Sequence, residues 1–557
     1  MQEFDARPLV LQGGKVYTLE PGRPWAEAIV IRGGEIALVG TDREARSAAG
    51  REATVVDLAG KMVLPGLVES HIHFVVGAMS QNPDLPLAAA NTYDELVEML
   101  ERYARRHAGS EPVLAWGWKQ FIFPEGPRKE TLDRIFGDRA VQLRSIDGHS
   151  SWVSSGALSR AGVDANFPDP QPGFAYLVRD ADGEPTGLVK ETASDVITNA
   201  LVTRDRDQVA RAVRGWQGKL ARAGLTTVYD AGFLDLDEEM VFEVLDGLAR
   251  RGELDLRIVG SHMVAGPGEE DHVGRLLALR ARYASDQVSA AVLKIYLDGV
   301  QELHTAFLLA PYADRPETAG VPNLPPEKFR ELVMTADAAG IDVHVHAIGE
   351  GATRLTLDAV EGAVRCNRPW DRRHTSCHVY YVDPDDLPRF AQLGVIGQTS
   401  GEWIVRDEFH ALMERRIGRE RTENLYRLNT LVKSGATITL GSDWPASCNI
   451  MTYEPLVQIE MAHTRRPPGE RDAEILPPAD ECLSLPDALA AMTINAARQI
   501  RRDDRIGSLV AGKRADLVVL ERNLFDVAPH EIHRTGVLLT MMDGRITYRD
   551  PSWDGQA

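Results

Sequence analysis

The sequence predicts an α/β chain built on a (β/α)8 TIM-type barrel, with a small β-sandwich made from both chain ends and a large insertion after the first barrel strand. Three observations carry this expectation. From about Gly224 onward, short apolar runs alternate with amphipathic helical stretches, the pattern of a parallel sheet covered by helices. The two chain ends share another texture, short Val-, Ile- and Thr-rich runs between Gly-containing turns, which suits a small sheet. Residues able to bind a metal recur at the ends of the apolar runs, the positions where barrels of this type carry their chemistry.

The elements follow in order. Residues 1–62 hold GGKVYTLE, EAIVIRGGEIALVG and the start of ATVVDLAGKMVLPG, the first part of the sandwich. Residues 63–80 contain LPGLVESHIHF, the first barrel strand. The next strand-like run, LTTVYDAG, begins about 150 residues further on, far longer than an ordinary βα connection. Residues 81–220 are therefore an insertion, with a helix (YDELVEMLERYARRH), an aromatic-rich strand region (VLAWGWKQFIF) and VQLRSIDGHSSWVSSGALSRAGV. Residues 221–488 supply the other seven strands: LTTVYDAG, LRIVGSHMV, AAVLKIYLDG, IDVHVHAIG, HTSCHVYYV, GVIGQT and ATITLGSDWP. Between them lie helical stretches such as PEKFRELVMTADAAG and EGATRLTLDAVEGAV. Residues 489–557 return to the strand-turn texture with RIGSLVAGKRADLVVLE and GVLLTMMDGRITYRD, and complete the sandwich.

Composition removes several classes. Lys plus Arg is 62 and Asp plus Glu is 82, a net charge of −20, which argues against nucleic-acid and anionic-membrane partners, whose binding rests on basic patches. Cys366, Cys377, Cys448 and Cys482 show no Cys-x-x-Cys spacing, so neither a Cys-rich zinc site nor a disulfide framework is expected. No apolar run approaches 18 residues, and MQEFDARPLV lacks a signal pattern. A cytoplasmic enzyme is the expectation, with a small-molecule substrate and a homodimer as the default assembly.

His71 and His73 end the first barrel strand. Side chains alternate along a strand, so both imidazoles share one face at the barrel mouth, and neutral imidazoles are good ligands for zinc and similar ions. Lys294, His344, His346, His378 and Asp443 occupy the ends of the fourth, fifth, sixth and eighth strands. Each alone has an ordinary structural explanation: a hydrogen-bonded core His, a snorkelling Lys, an Asp opening a turn. Five strands of eight ending in such residues point to one metal centre.

This ordered set resembles the amidohydrolase superfamily, and within it amidohydrolase family 3, the YtcJ-like branch that includes N-substituted formamide deformylase. The matching stretches are LPGLVESHIHF, DGHSSWVSSGAL, GEPTGLVKE, KIYLDGV, HVHAIGEGA, HVYYVDPDDLPRFAQLGV, GSDWP and GSLVAGKRADLVVL. The resemblance implies that His71 and His73 bind a buried metal, that His346 and His378 bind a second, and that Lys294, as a CO2-derived carbamate, bridges two metals. Asp443 would be both a weak ligand and the group that takes the attacking water's proton. His344 would orient a ligand, and Glu191 is a competing carboxylate. The implied cofactor is Zn2+, one or two ions, or another divalent metal. The chain departs from the family pattern at Glu350, Ser154 and His304, positions that bear on substrate contacts.

Trp116, Trp118, Phe121, Phe123, His149 and Trp152 cluster in the insertion, although aromatic residues are only 6% of the chain. They either pack the insertion's own core or form an apolar lid over the barrel mouth. His149, in DGHS, is placed to polarise a carbonyl oxygen. The resulting expectation is a metal-dependent hydrolase of a non-peptide carbon–nitrogen bond, an N-acyl or N-formyl amide, with substrate contacts at His149, Trp116, Trp118, Trp152 and His304. A deaminase using the same centre is the alternative, and a non-catalytic scaffold of this fold the third reading.

Overall fold

The computed structural model describes residues 7–123, 125–268 and 270–553. Eight parallel strands form the central sheet: β1 (Leu67–Ile72), β2 (Leu225–Asp230), β3 (Arg257–Val264), β4 (Val288–Tyr296), β5 (Val343–His346), β6 (Thr375–Cys377), β7 (Ile396–Thr399) and β8 (Ile438–Leu440). They neighbour one another in chain order from β1 to β8. These are the eight runs expected from the sequence. All are buried along their whole length apart from one residue in each of β3 and β4, because barrel side chains on one face and helices on the other exclude water. The seam between β8 and β1 is closed by specific bonds. Ser70 Oγ donates to Leu440 O at 2.7 Å, and Asp443 N donates to His71 O at 2.7 Å.

The covering helices are amphipathic and locally capped. Arg206–Arg222, which leads into β2, starts at a reciprocal capping box of Asp205 and Gln208, an arrangement that satisfies two backbone donors at once. Glu238–Arg250 buries Val241, Phe242, Val244, Leu245 and Leu248 against the sheet.

Strands from the two chain ends share one six-stranded sheet, in the order Arg545–Arg549, Val537–Met542, Leu517–Leu520, Met62–Pro65, Lys15–Tyr17, Trp25–Ala26. A four-stranded sheet of Glu35–Gly40, Ala28–Arg32, Leu9–Gln12 and Thr54–Asp57 packs on it. Leu9, Leu11, Ile29 and Ile31 of the one meet Val63, Leu517 and Val519 of the other in a common core. The C-terminal strands begin only at Leu517, later than the boundary at 489 expected from the sequence. The helix Ile494–Gln499 lies instead under the barrel, where Gln499 Nε2 donates to Ser70 O (2.7 Å) and its Oε1 accepts from Thr439 (2.6 Å). A polar residue between two barrel strands needs both bonds to be tolerated there, a constraint that strand-turn texture does not reveal.

The insertion has its own five-stranded sheet, in the order Leu177–Arg179, Pro185–Lys190, Ser150–Val153, Val141–Ser145, Val113–Trp118. Its two flanking cores include Trp118, Trp152 and Leu143 on one side and Val153, Phe174 and Ile197 on the other.

Candidate metal centre

The barrel register brings the metal-ligand residue types together. Lys294 on β4 pairs with His344 on β5, and Tyr296 with His346, so a period of two sends all four side chains inward. His71 leaves β1 on the same face. Its Nδ1 lies 2.9 Å from His344 Nε2 and its Nε2 lies 3.0 Å from Lys294 Nζ. His73 follows the end of β1, and its Nδ1 bonds Gly232 O at 2.7 Å. Such a bond fixes the tautomer and directs Nε2 to the centre. His378 and Asp443 sit just past β6 and β8 with φ of 77° and 54°. This left-handed conformation is uncommon outside glycine and gathers at functional sites. Asp443 Oδ1 lies 3.3 Å from His71 Nε2 and 3.5 Å from His73 Nε2, and Oδ2 lies 3.9 Å from His378 Nδ1.

Burial dominates the electrostatics. It pushes the pKa of His71, His344, His346 and His378 well below the ordinary value and that of His73 to about 4. It also lowers Lys294 and raises Asp443. The centre therefore offers neutral imidazole nitrogens beside the Asp443 carboxyl group and the Lys294 amine. His346 Nε2, His378 Nδ1 and Asp443 Oδ1 are buried without a hydrogen-bond partner, a costly state for polar atoms unless something else satisfies them. Ligand atoms of His71, His73 and Asp443 all lie within 4.8 Å of one another. Nitrogen and oxygen donors at this spacing fit a divalent ion such as zinc. A second group, His71, His344 and Cys377, meets the same distance limit deeper in the barrel.

A cavity of about 100 Å³ opens over these residues, and His71, His73, Lys294, His346 and Asp443 line it. The insertion supplies its opposite wall with His149, Glu191 and Trp116. His149 Nδ1 lies 2.8 Å from Glu191 Oε2 and 2.7 Å from the Tyr296 hydroxyl. Glu191 also accepts from Tyr296 and from Thr305. Burial alone would lower the His149 pKa, but the Glu191 carboxylate outweighs it and lifts the value to about 9. Nδ1 is thus occupied, which leaves Nε2 as the nitrogen of His149 available to a ligand.

Of the residues singled out from sequence, His71, His73, Lys294, His346, Asp443, His149, Glu191 and Trp116 meet in this one cavity. His378 and His344 stand directly behind it, against His346 and His71. Three expected substrate contacts are placed elsewhere. Trp118 and Trp152 are fully buried in the insertion core, stacked edge-on against Phe123, with their indole N–H groups bonded to Leu143 O and Arg128 O. They stabilise the insertion, and alternation along Val113–Trp118 does not by itself separate a core Trp from a pocket Trp. His304 turns away to Asp314, 3.0 Å from its Nε2, and does not line the cavity. Sequence reasoning missed Tyr296, although it lies two residues after Lys294 and must share its face. It also missed Arg144 and Asp147, which also line the cavity; no motif marks them.

A closed parallel barrel with nitrogen and carboxylate donors gathered at the C-terminal ends of its strands defines a metal-dependent hydrolase fold. The profile described as amidohydrolase family matches residues 54–548, and the chain belongs to that family. It is a metal-dependent hydrolase acting on carbon–nitrogen bonds. Among similar proteins are LONG AFTER FAR-RED 3 of Arabidopsis thaliana, 30% identical over 97% of this chain and 91% of that protein, and N-substituted formamide deformylase of Arthrobacter pascens, 26% identical over 97% and 98%. An uncharacterised metal-dependent hydrolase from Pyrococcus horikoshii shares the fold with a TM-score of 0.71 at 23% identity, covering 94% of this chain and 99% of that one. Among the described residues no helix is long and apolar enough to cross a membrane.

Proposed function

We propose that the chain hydrolyses an N-acyl or N-formyl amide bond of a small molecule, with one or two zinc ions held among His71, His73, Lys294, His346, His378 and Asp443. When bound, such an ion polarises the carbonyl and makes water nucleophilic at neutral pH. The chain's own groups do the rest. Asp443, buried at the cavity floor, takes the proton of the attacking water and returns it to the departing amine, so that an amine and a carboxylic acid leave. His149, braced by Glu191 and Tyr296, donates from Nε2 to the oxygen on which negative charge develops. Lys294 is buried and its pKa lowered; a neutral amine has the lone pair needed to take up CO2, and the resulting carbamate would give the centre a second anionic donor.

The observation that carries the reading is the set of buried, unpartnered donor atoms on His346, His378 and Asp443. Similarity over nearly full length to a formamide deformylase supports the acyl side of the assignment. The test is metal analysis of the purified protein together with a panel of N-formyl and N-acetyl amines, following release of amine and acid. Ammonia released from cyclic C=N substrates, with no amide turned over, would assign the site to a deaminase. A protein that holds no metal and turns over neither class would be a scaffold.

A further inference from the structure

The catalytic cavity is small. At about 100 Å³ it is well below the roughly 300–1,000 Å³ of ordinary ligand pockets, and it suits only the reacting end of a substrate. A second chamber of about 430 Å³ adjoins it, and Trp116 and Arg144 stand in the walls of both. The Arg144 guanidinium lies over the Trp116 ring, 5.2 Å from its centroid, so the two side chains form the partition.

The outer chamber is basic in a chain whose net charge is −20. Arg144, Arg204 and Arg211 line it, with Asp235 as the one acid. Arg204 is paired with Asp235 at 2.7 Å. Arg144 is weakly held: only its Nη2 is bonded, to Asp195 Oδ1 and Thr198 Oγ1, both at 3.3 Å. Among the described residues its Nε and Nη1 have no hydrogen-bond partner, although the side chain is only 12% exposed. Gln81 Nε2, buried and also unpartnered, belongs to the same chamber. Donors left open beside a cavity call for an acceptor, and a guanidinium fork matches a carboxylate. Three arginines against Asp235 leave the lining of the chamber net positive, and Asp195, reached by Arg144 from the side of the inner cavity, offsets part of that charge.

We propose that the outer chamber is a subsite for a carboxylate on the part of the substrate beyond the scissile bond, bound by the open edge of Arg144 with Gln81 beside it. The substrate class is therefore an amide that carries an acidic group on the arm reaching past Trp116. This rests on the reading of the inner cavity as the site of amide hydrolysis.

The test compares two matched probes, N-acetylleucine and N-acetylleucinamide, by calorimetric titration of zinc-loaded Asp443→Asn protein, in which turnover is slowed by the loss of the proton-transfer group. The acid should bind about ten- to hundredfold tighter than the amide, the range for a hydrogen-bonded charged group. Adding Arg144→Met should abolish that preference, and Arg144→Lys, which keeps the charge but not the fork, should retain part of it. Equal binding of the two probes, binding of neither, or a preference that survives Arg144→Met would overturn the proposal. If Arg144→Met does not fold, Arg144→Lys and the parent protein still decide it. Turnover by the zinc-loaded parent separates the two readings. Arg144-dependent binding of the acid without hydrolysis of any amide leaves the anion subsite standing and removes the amidase reading, whereas equal hydrolysis of acid and amide keeps the amidase and removes the subsite.

Discussion

Replacing Asp443 by Asn isolates proton transfer from metal binding. The backbone tolerates the change, because Asp443 has φ of 54° and Asn enters the left-handed region as readily as Asp. Its N–H bond to His71 O at 2.7 Å does not involve the side chain, so the turn after β8 keeps its anchor. The amide retains one oxygen donor near His71 and His73, 3.3 and 3.5 Å from the present Oδ1, but it cannot accept a proton. Positioned proton transfer is worth ~10²–10⁴ in rate, or about 3–5 kcal/mol of barrier. Turnover of Asp443→Asn should fall by that factor while most of the metal stays bound. His73→Ala, which deletes a donor outright, should lose metal in proportion to activity. Metal stoichiometry and kcat on the same preparations are the assay. Near-native turnover of Asp443→Asn with full metal would refute the assignment and move the proton to another group, such as Glu191 or His344.

Trp116→Ala should alter substrate preference at constant metal content, since Trp116 lines both chambers, whereas Trp118→Ala should leave preference unchanged and cost about 3–5 kcal/mol of stability in denaturant unfolding. Removal of metal by a chelator should lower the unfolding temperature as well as activity, because an ion at ~100 times its Kd contributes about 2.7 kcal/mol to the folded state; an unchanged unfolding temperature would argue against a resident ion. Asp337 supplies a pH test remote from the centre. Burial opposes its ionisation, but bonds from His374, Arg372, Asn367 and Trp370 prevail and hold its pKa far below the ordinary value. A depressed carboxylate stabilises the fold above its unfolded pKa of ~3.9 and loses that contribution as pH falls. Asp337→Ala should therefore be destabilised by about 3–5 kcal/mol at pH 7, with the gap to the parent narrowing below about pH 4; a gap independent of pH would contradict the network.

Much of this was legible from residue order alone. Strand-helix alternation is a local property, set by the periods of strands and helices, and eight repeats leave few alternatives to a barrel. Because side chains on a strand alternate, His71 and His73, or His344 and His346, had to share a face whatever the tertiary arrangement. The β-rich texture of the two ends likewise implied a shared sheet, since neither could bury its apolar face alone.

The sequence by itself therefore determined the barrel, the shared sheet of the chain ends and the side chains that meet at the strand ends. Tertiary structure alone decided which insertion residues face the cavity. Trp116 and Trp118 are two apart on one strand, yet Trp116 reaches the partition while Trp118 is enclosed by Phe123 and the insertion core. His304 was drawn to Asp314 by a contact ten residues away. Arg144 and Glu191 acquire meaning only when the insertion folds back over the barrel, placing Glu191 against Tyr296 of β4 and Arg144 between two chambers. The physical reason is range: periodicity fixes which face a residue occupies, but what that face meets depends on how separately built layers dock, and docking is set by packing across residues far apart in the chain.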